Sequence, residues 1–137
     1  MKPGIDAGVA GANGVVKNSF VEAGNRHCIE FLRAAAAVPP IRNANDVGRF
    51  INQSTGLLDK LVSDLKALTV APGEEATVAE LVALFDKLSG QLKEVGVAGA
   101  GGDLRRMNAI QGEIEASEEE ANAKLGAYGL TACGAPD

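Results

Sequence analysis

Val47-Gly48-Arg49-Phe50-Ile51-Asn52-Gln53-Ser54-Thr55-Gly56-Leu57-Leu58-Asp59-Lys60-Leu61-Val62-Ser63-Asp64-Leu65-Lys66-Ala67-Leu68 decides the fold. Within it Val47, Ile51, Ser54, Leu58, Leu61, Leu65 and Leu68 step by 4, 3, 4, 3, 4 and 3 residues. Side chains three and four apart share one face of an α-helix, so the stretch reads as a helix with an unbroken core-facing stripe. Phe50, Leu57 and Val62 widen that face. The helix is expected over roughly 44–70, with Pro72-Gly73 as its stop.

Downstream, Val78, Leu81, Phe85, Leu88, Leu92 and Val95 repeat the pattern over 77–97. Thr77-Val78-Ala79-Glu80 before this run reads as a capping box. Four glycines in Gly96-Val97-Ala98-Gly99-Ala100-Gly101-Gly102 are expected to break that helix into a flexible connector. Asp103 then suits an N-cap, and Leu104, Met107, Ile110, Ile114, Ala121, Leu125 and Tyr128 mark a further helix over 103–128. Gly112 and Gly126 each weaken it by about 1 kcal/mol relative to Ala. Upstream, Val16, Phe20, Ala23, Ile29, Phe31 and Leu32 make the loosest stripe, over 13–38, and Pro39-Pro40 ends it. No strand-like alternation and no internal repeat is present. Short links between long helices imply antiparallel neighbours, hence an all-α, up-down-up-down four-helix bundle. The 137 residues make one domain, with 1–12 expected to be a flexible lead-in.

Composition agrees. Aromatic residues are 4% of the chain and Trp is absent, so the core must be aliphatic. Residues 1–70 carry eight Lys/Arg against six Asp/Glu, and 71–137 carry five against twelve, giving +2 and −7. An acidic chain without a basic cluster is a poor partner for nucleic acid or an anionic membrane, because phosphate neutralisation supplies most of such affinity. No apolar run is long enough for a transmembrane helix.

Cys28 and Cys133 are the two cysteines. The first falls midway along the first expected helix, the second in a short apolar tail after the last. In an antiparallel bundle the fourth helix ends near the start of the first. Five extended tail residues span roughly 16 Å, enough to run back along the first helix to Cys28. A disulfide would close a loop of about 105 residues, worth up to ~4.7 kcal/mol in the chain-entropy treatment. It would place the protein in an oxidising compartment, secreted or in the cell envelope, with the cytoplasm as the second reading. No leader h-region occurs in residues 1–20, so the exported reading takes the chain as a mature domain.

Three pieces carry a family resemblance: Asn25-Arg26-His27-Cys28-Ile29, Val38-Pro39-Pro40 and Ala127-Tyr128-Gly129-Leu130-Thr131-Ala132-Cys133-Gly134. Together they resemble small secreted or lipid-anchored helical-bundle proteins of actinobacteria, a group without an established activity. The resemblance implies a disulfide-closed, exported bundle and transfers no chemistry.

The candidate chemistries are sparse. Leu130-Thr131-Ala132-Cys133 matches a lipobox, yet it follows an acidic amphipathic helix rather than an N-terminal apolar segment, so Cys133 reads as structural. His27 adjoins Cys28, but neighbouring helix residues point about 100° apart, so no Cys/His nucleophile is expected. One histidine cannot build a di-iron or zinc site, and a His27/Met107 haem pair has little behind it. Glu113, Glu115, Glu118, Glu119 and Glu120 lack the turn glycine of a calcium loop and read as a solvated helix face, as do Arg105 and Arg106. The glycine run before Asp103 lacks the Lys-Ser/Thr of a phosphate loop.

No metal, cofactor or catalytic residue is therefore expected. The expected function is a non-enzymatic, exported binding or protein-interaction domain of the cell envelope. The alternative is a carrier of a small apolar ligand held between helices by Leu58, Leu61, Phe85 and Leu88.

Overall fold

The computed structural model describes residues 3–134, with side chains from residue 14 onward. Four helices follow one another: α1 (Pro3–Ala36), α2 (Asn45–Lys66), α3 (Glu75–Ala100) and α4 (Leu104–Tyr128). They form the four-helix bundle expected from the stripes, and a disulfide ties the C-terminal tail to α1. The helix α1 begins at Pro3 rather than Asn13, and proline suits a first helical turn because its missing N–H would be unpaired there anyway. The side chains of the expected flexible segment 1–12 lie outside the described residues. The second helix ends at Lys66, short of the expected Val70, and Ala71 is buried in the connection that follows.

Two boundary readings are corrected. The Thr77 capping box does not form, because α3 starts upstream of it at Glu75. The Glu75 carboxylate instead accepts the Gly73 N–H at 2.9 Å, in a turn where Gly73 has φ +88°. Glu80 is spent on Lys124 of α4, at 2.8 Å. The glycine run, likewise, is not a connector from Gly96 onward: α3 continues through Ala100. Gly96 and Gly99 serve close packing. A Cβ on Gly96 would sit 3.3 Å from Ile51 Cγ2, and one on Gly99 would meet Met107 and Val47 at 3.6 Å.

The turn itself is confined to Gly101-Gly102-Asp103. Gly102 has φ +72°, its N–H donates to Gly99 O at 3.1 Å, and Asp103 N–H donates to Ala98 O at 2.9 Å. This is the paired closure of a Schellman motif. Asp103 then caps α4 as expected, its carboxylate accepting Arg106 N–H at 2.9 Å. One residue thus ends α3 and starts α4.

The interior has two parts. A larger cluster gathers Phe20 and Cys28 of α1, Leu58, Leu61 and Leu65 of α2, Leu81 and Phe85 of α3, Leu125 of α4 and Leu130 of the tail. A smaller one, of Ile51, Val95, Ala98 and Ile110, is built by α2, α3 and α4 alone. Thr55, buried in α2 where Ser54 was expected, satisfies its hydroxyl on Ile51 O at 2.8 Å. The expected stripe members Ile29, Leu32 and Leu104 are exposed. The buried face of α1 instead runs through Phe20, Gly24 and Cys28, and Leu104 sits in the first turn of α4 at the bundle's end.

Leu61 is 2% exposed, so Leu61→Ala is expected to cost about 2–5 kcal/mol, read as a shift in urea midpoint. Leu88 is only half-buried, and the same change there should cost visibly less.

Candidate functional site: the tail clamp and the α1–α2 groove

The helices pack in sequence, α1 on α2, α2 on α3 and α3 on α4. Among the described residues, α1 and α4 make no comparable seam along their lengths. The tail joins them, together with side-chain contacts of Phe20 and Lys17 on Tyr128 at the end of α4. The fourth helix ends in a second Schellman motif: Gly129 (φ +108°) donates to Gly126 O at 3.1 Å and Leu130 N–H to Leu125 O at 2.9 Å. The hydrophobic pair this motif favours is Leu125 with Leu130, each 1% exposed. Reversed in this way, the chain runs along α1. Asn25 grips it twice, donating from Nδ2 to Gly129 O at 3.2 Å and accepting Ala132 N–H on Oδ1 at 3.0 Å. Cys133 meets Cys28 with Cα atoms 5.1 Å apart. Gly134 lies against the Asn122 backbone of α4. Phe20 and Tyr128 stack edge to face at 6.1 Å, and Lys17 Nζ lies 4.5 Å from the Tyr128 ring centre. Burial pushes the Tyr128 hydroxyl up, with Glu74 adding to it.

On the outer side of α1 and α2 runs a groove. One part, of about 290 Å³, is bordered by His27, Glu30 and Phe31 of α1 and Lys60, Leu61 and Asp64 of α2. Another, of about 360 Å³, reaches towards Pro39 and Asn52. Ala34 and Leu57 border both, so the two are neighbours. Gly56 lies on the second part, and a Cβ built there meets nothing within 4 Å.

The lower end of the groove is polar. His27 Nδ1 is shielded from solvent and has no hydrogen-bond partner. Asp64 Oδ2 stands 3.6 Å from it and Glu30 Oε2 3.8 Å, both beyond hydrogen-bond range. Lys60 Nζ holds Asp64 Oδ2 at 2.7 Å, and this hydrogen bond chiefly lowers the Asp64 pKa. Asp64, Glu30 and His27 do not form a metal-sized cage, and the Lys60 ammonium would repel a cation.

Compared with family models, curated proteins and solved structures, the chain matches none.

Of the residues singled out from sequence, Cys28 and Cys133 are brought together. Leu58, Leu61 and Phe85 pack into one core, with Leu88 against it. The acidic residues of α4 from Glu113 to Glu120 lie exposed. Sequence reasoning passed over Asp64, Glu30 and Gly56. The spacing of His27 and Glu30 on one helix face was visible; their meeting with Asp64 depends on how α1 and α2 pair.

Hydrogen bonds from Lys60 and Lys124 respectively place Asp64 and Glu80 below the usual carboxylate range. A depressed folded-state pKa gives stability that is full above the unfolded value and is lost as pH falls through the folded one. Acidification from neutral pH should therefore lower the urea midpoint through the carboxylate range. The effect should be small, because exposed ion pairs contribute little. Glu80→Gln should flatten this decline without changing the neutral circular dichroism.

Proposed function

We propose that the protein is a non-enzymatic, exported interaction domain of the cell envelope, a disulfide-closed bundle that offers its outer surface to another protein. The observation that carries this reading is where the space lies. Leu58, Leu61 and Phe85, suited in principle to lining an internal ligand site, are 6%, 2% and 5% exposed and packed on one another. The open volume lies outside the core, in surface hollows along the seams of α1 with α2, α2 with α3 and α3 with α4. A disulfide joining residues 105 apart suits an oxidising compartment, and no helix among the described residues is long and apolar enough to cross a membrane.

The test is made in the cells that produce the protein. Photo-crosslinking side chains are placed singly at exposed positions on each helix, and the cells are fractionated. The expected result is envelope or medium protein with no titratable thiol, and crosslinks to a discrete protein from one face. Cytosolic protein with two free thiols would overturn the location. A stoichiometric apolar molecule in native mass spectra would overturn the interaction role in favour of a carrier.

A further inference from the structure

We infer that the open α1–α4 side of the bundle is a self-docking face. A second copy of this chain packs on it about a two-fold axis parallel to the helices, with α1 of each copy against α4 of the other. This goes beyond the interaction reading above and does not depend on it.

The bundle is open on this side past the tail. Among the described residues α1 and α4 make no seam along their lengths, and the tail between them reaches Gly134, against the Asn122 backbone. Farther along, both helices turn large apolar side chains to solvent: Ile29 is 42% exposed, Leu32 53% and Leu104 70%. These share one side. Ile29 and Leu32 follow Asn25 by four and seven residues, which puts them on the face of α1 that grips the tail. Leu104 precedes Asn122 by about five full turns, which puts it on the tail-facing side of α4.

The two lips of this side are opposite in sign. Arg26 and Arg33 flank Ile29 on α1, and Glu115 and Glu118 lie on the Asn122 side of α4, all four exposed. Their heights match. Phe20 meets Tyr128, and Cys28, through the tail, stands level with Asn122. The helices run antiparallel, so Arg33, five residues past Cys28, is level with Glu118 and Glu115, four and seven residues before Asn122. Of the acidic residues nearby on α1, Glu30 borders the groove with α2, and Glu22 stands near the level of Tyr128, off the acidic stretch.

A two-fold axis parallel to the helices keeps every residue at its own height and exchanges the lips. Arg33 of each copy then meets Glu115 and Glu118 of the other, and the exposed leucines and isoleucine come together between the two sets of charges. The other two-fold arrangement, α1 on α1 and α4 on α4, opposes one acidic face to another. Exposed ion pairs add little affinity, so the apolar residues supply the attraction and the charges fix the pairing. Each residue is used twice in such an interface. Two helix widths of about 10 Å each and a few turns of height make less than a standard interface, so the association is a weak, reversible one.

The experiment is sedimentation equilibrium on the full oxidised chain. A monomer–dimer equilibrium is expected, with a dissociation constant between about 1 µM and 1 mM. Arg33→Glu alone, and Glu115→Arg with Glu118→Arg, should each weaken it at least about tenfold, because each sets like charges opposite one another twice. Mixing these two variants should restore a one-to-one heterodimer, since both facing lips are then opposite in sign again. Leu32→Asp should weaken the dimer similarly. Lys66→Glu, which changes net charge as Arg33→Glu does but borders the α2–α3 hollow, should leave it unchanged. Circular dichroism confirms that each variant folds.

A monomer throughout that range would overturn the inference, as would a dimer indifferent to Arg33→Glu and Leu32→Asp. Failure of the mixed variants to associate would overturn the α1-on-α4 pairing. In the cellular crosslinking, capture of a different protein from positions 29 and 32 would remove the second copy as the occupant while leaving the interaction role standing.

Discussion

Replacing both cysteines, Cys28→Ala with Cys133→Ala, is expected to lower unfolding stability by about 2–5 kcal/mol, measured by urea denaturation against the oxidised protein. The closed loop spans 105 residues, near the length for which the chain-entropy treatment gives ~4.7 kcal/mol. The native side of the balance points the same way. Cys28 is 1% exposed in the main core, so its truncation also removes packing. The bond sits where α1 has least support, since among the described residues α1 pairs with α2 and with the tail but makes no seam along the length of α4. Reduced wild-type protein separates the two effects, keeping the sulfur atoms and losing only the link. It should fall between the oxidised protein and the double variant. Unchanged midpoints in both would mean that Asn25 and Leu130 hold the tail without the staple.

Hydrophobic period located the helices well because α2 and α3 carry their burial in large side chains. Ile51, Leu58, Leu61 and Leu65 of α2 are all buried, and the leucine spacing alone announces that face. The first helix hides its inner face. Its central inward residue is Gly24, which has no side chain to register in a pattern, while the larger Ile29 and Leu32 are 42% and 53% exposed. The glycine is there because Leu130 fills the space beside it, a fact that requires the folded tail. The same limit applies to Gly96 and Gly99, which look like breakers in a string of residues and are contact points once Ile51 and Met107 lie opposite. The cysteine pairing was legible because two cysteines allow a single intramolecular bond. The groove was not, since its polar end takes His27 and Glu30 from α1 and Asp64 from α2.

That hidden complementarity gives the sharpest expectation for the tail. Leu130→Ala should cost about 2–5 kcal/mol, because Leu130 is 1% exposed and fills the space beside Gly24 and Leu65. Gly24→Ala in the natural sequence places a Cβ 2.7 Å from Leu130 Cδ2. A packed leucine cannot yield that distance freely, so the clash offsets the roughly 1 kcal/mol of helix propensity that alanine brings. In the Leu130→Ala background the obstructing atoms are gone. There Gly24→Ala should stabilise, both by propensity and by filling part of the cavity. The two changes are thus expected to couple by about 0.5–3 kcal/mol, with Gly24→Ala more favourable in the Leu130→Ala background than beside the natural Leu130. Urea midpoints of the four proteins measure this directly. Additive costs would mean that the tail does not pack on α1 at Gly24, and the contact closing the α1–α4 side would have to lie elsewhere.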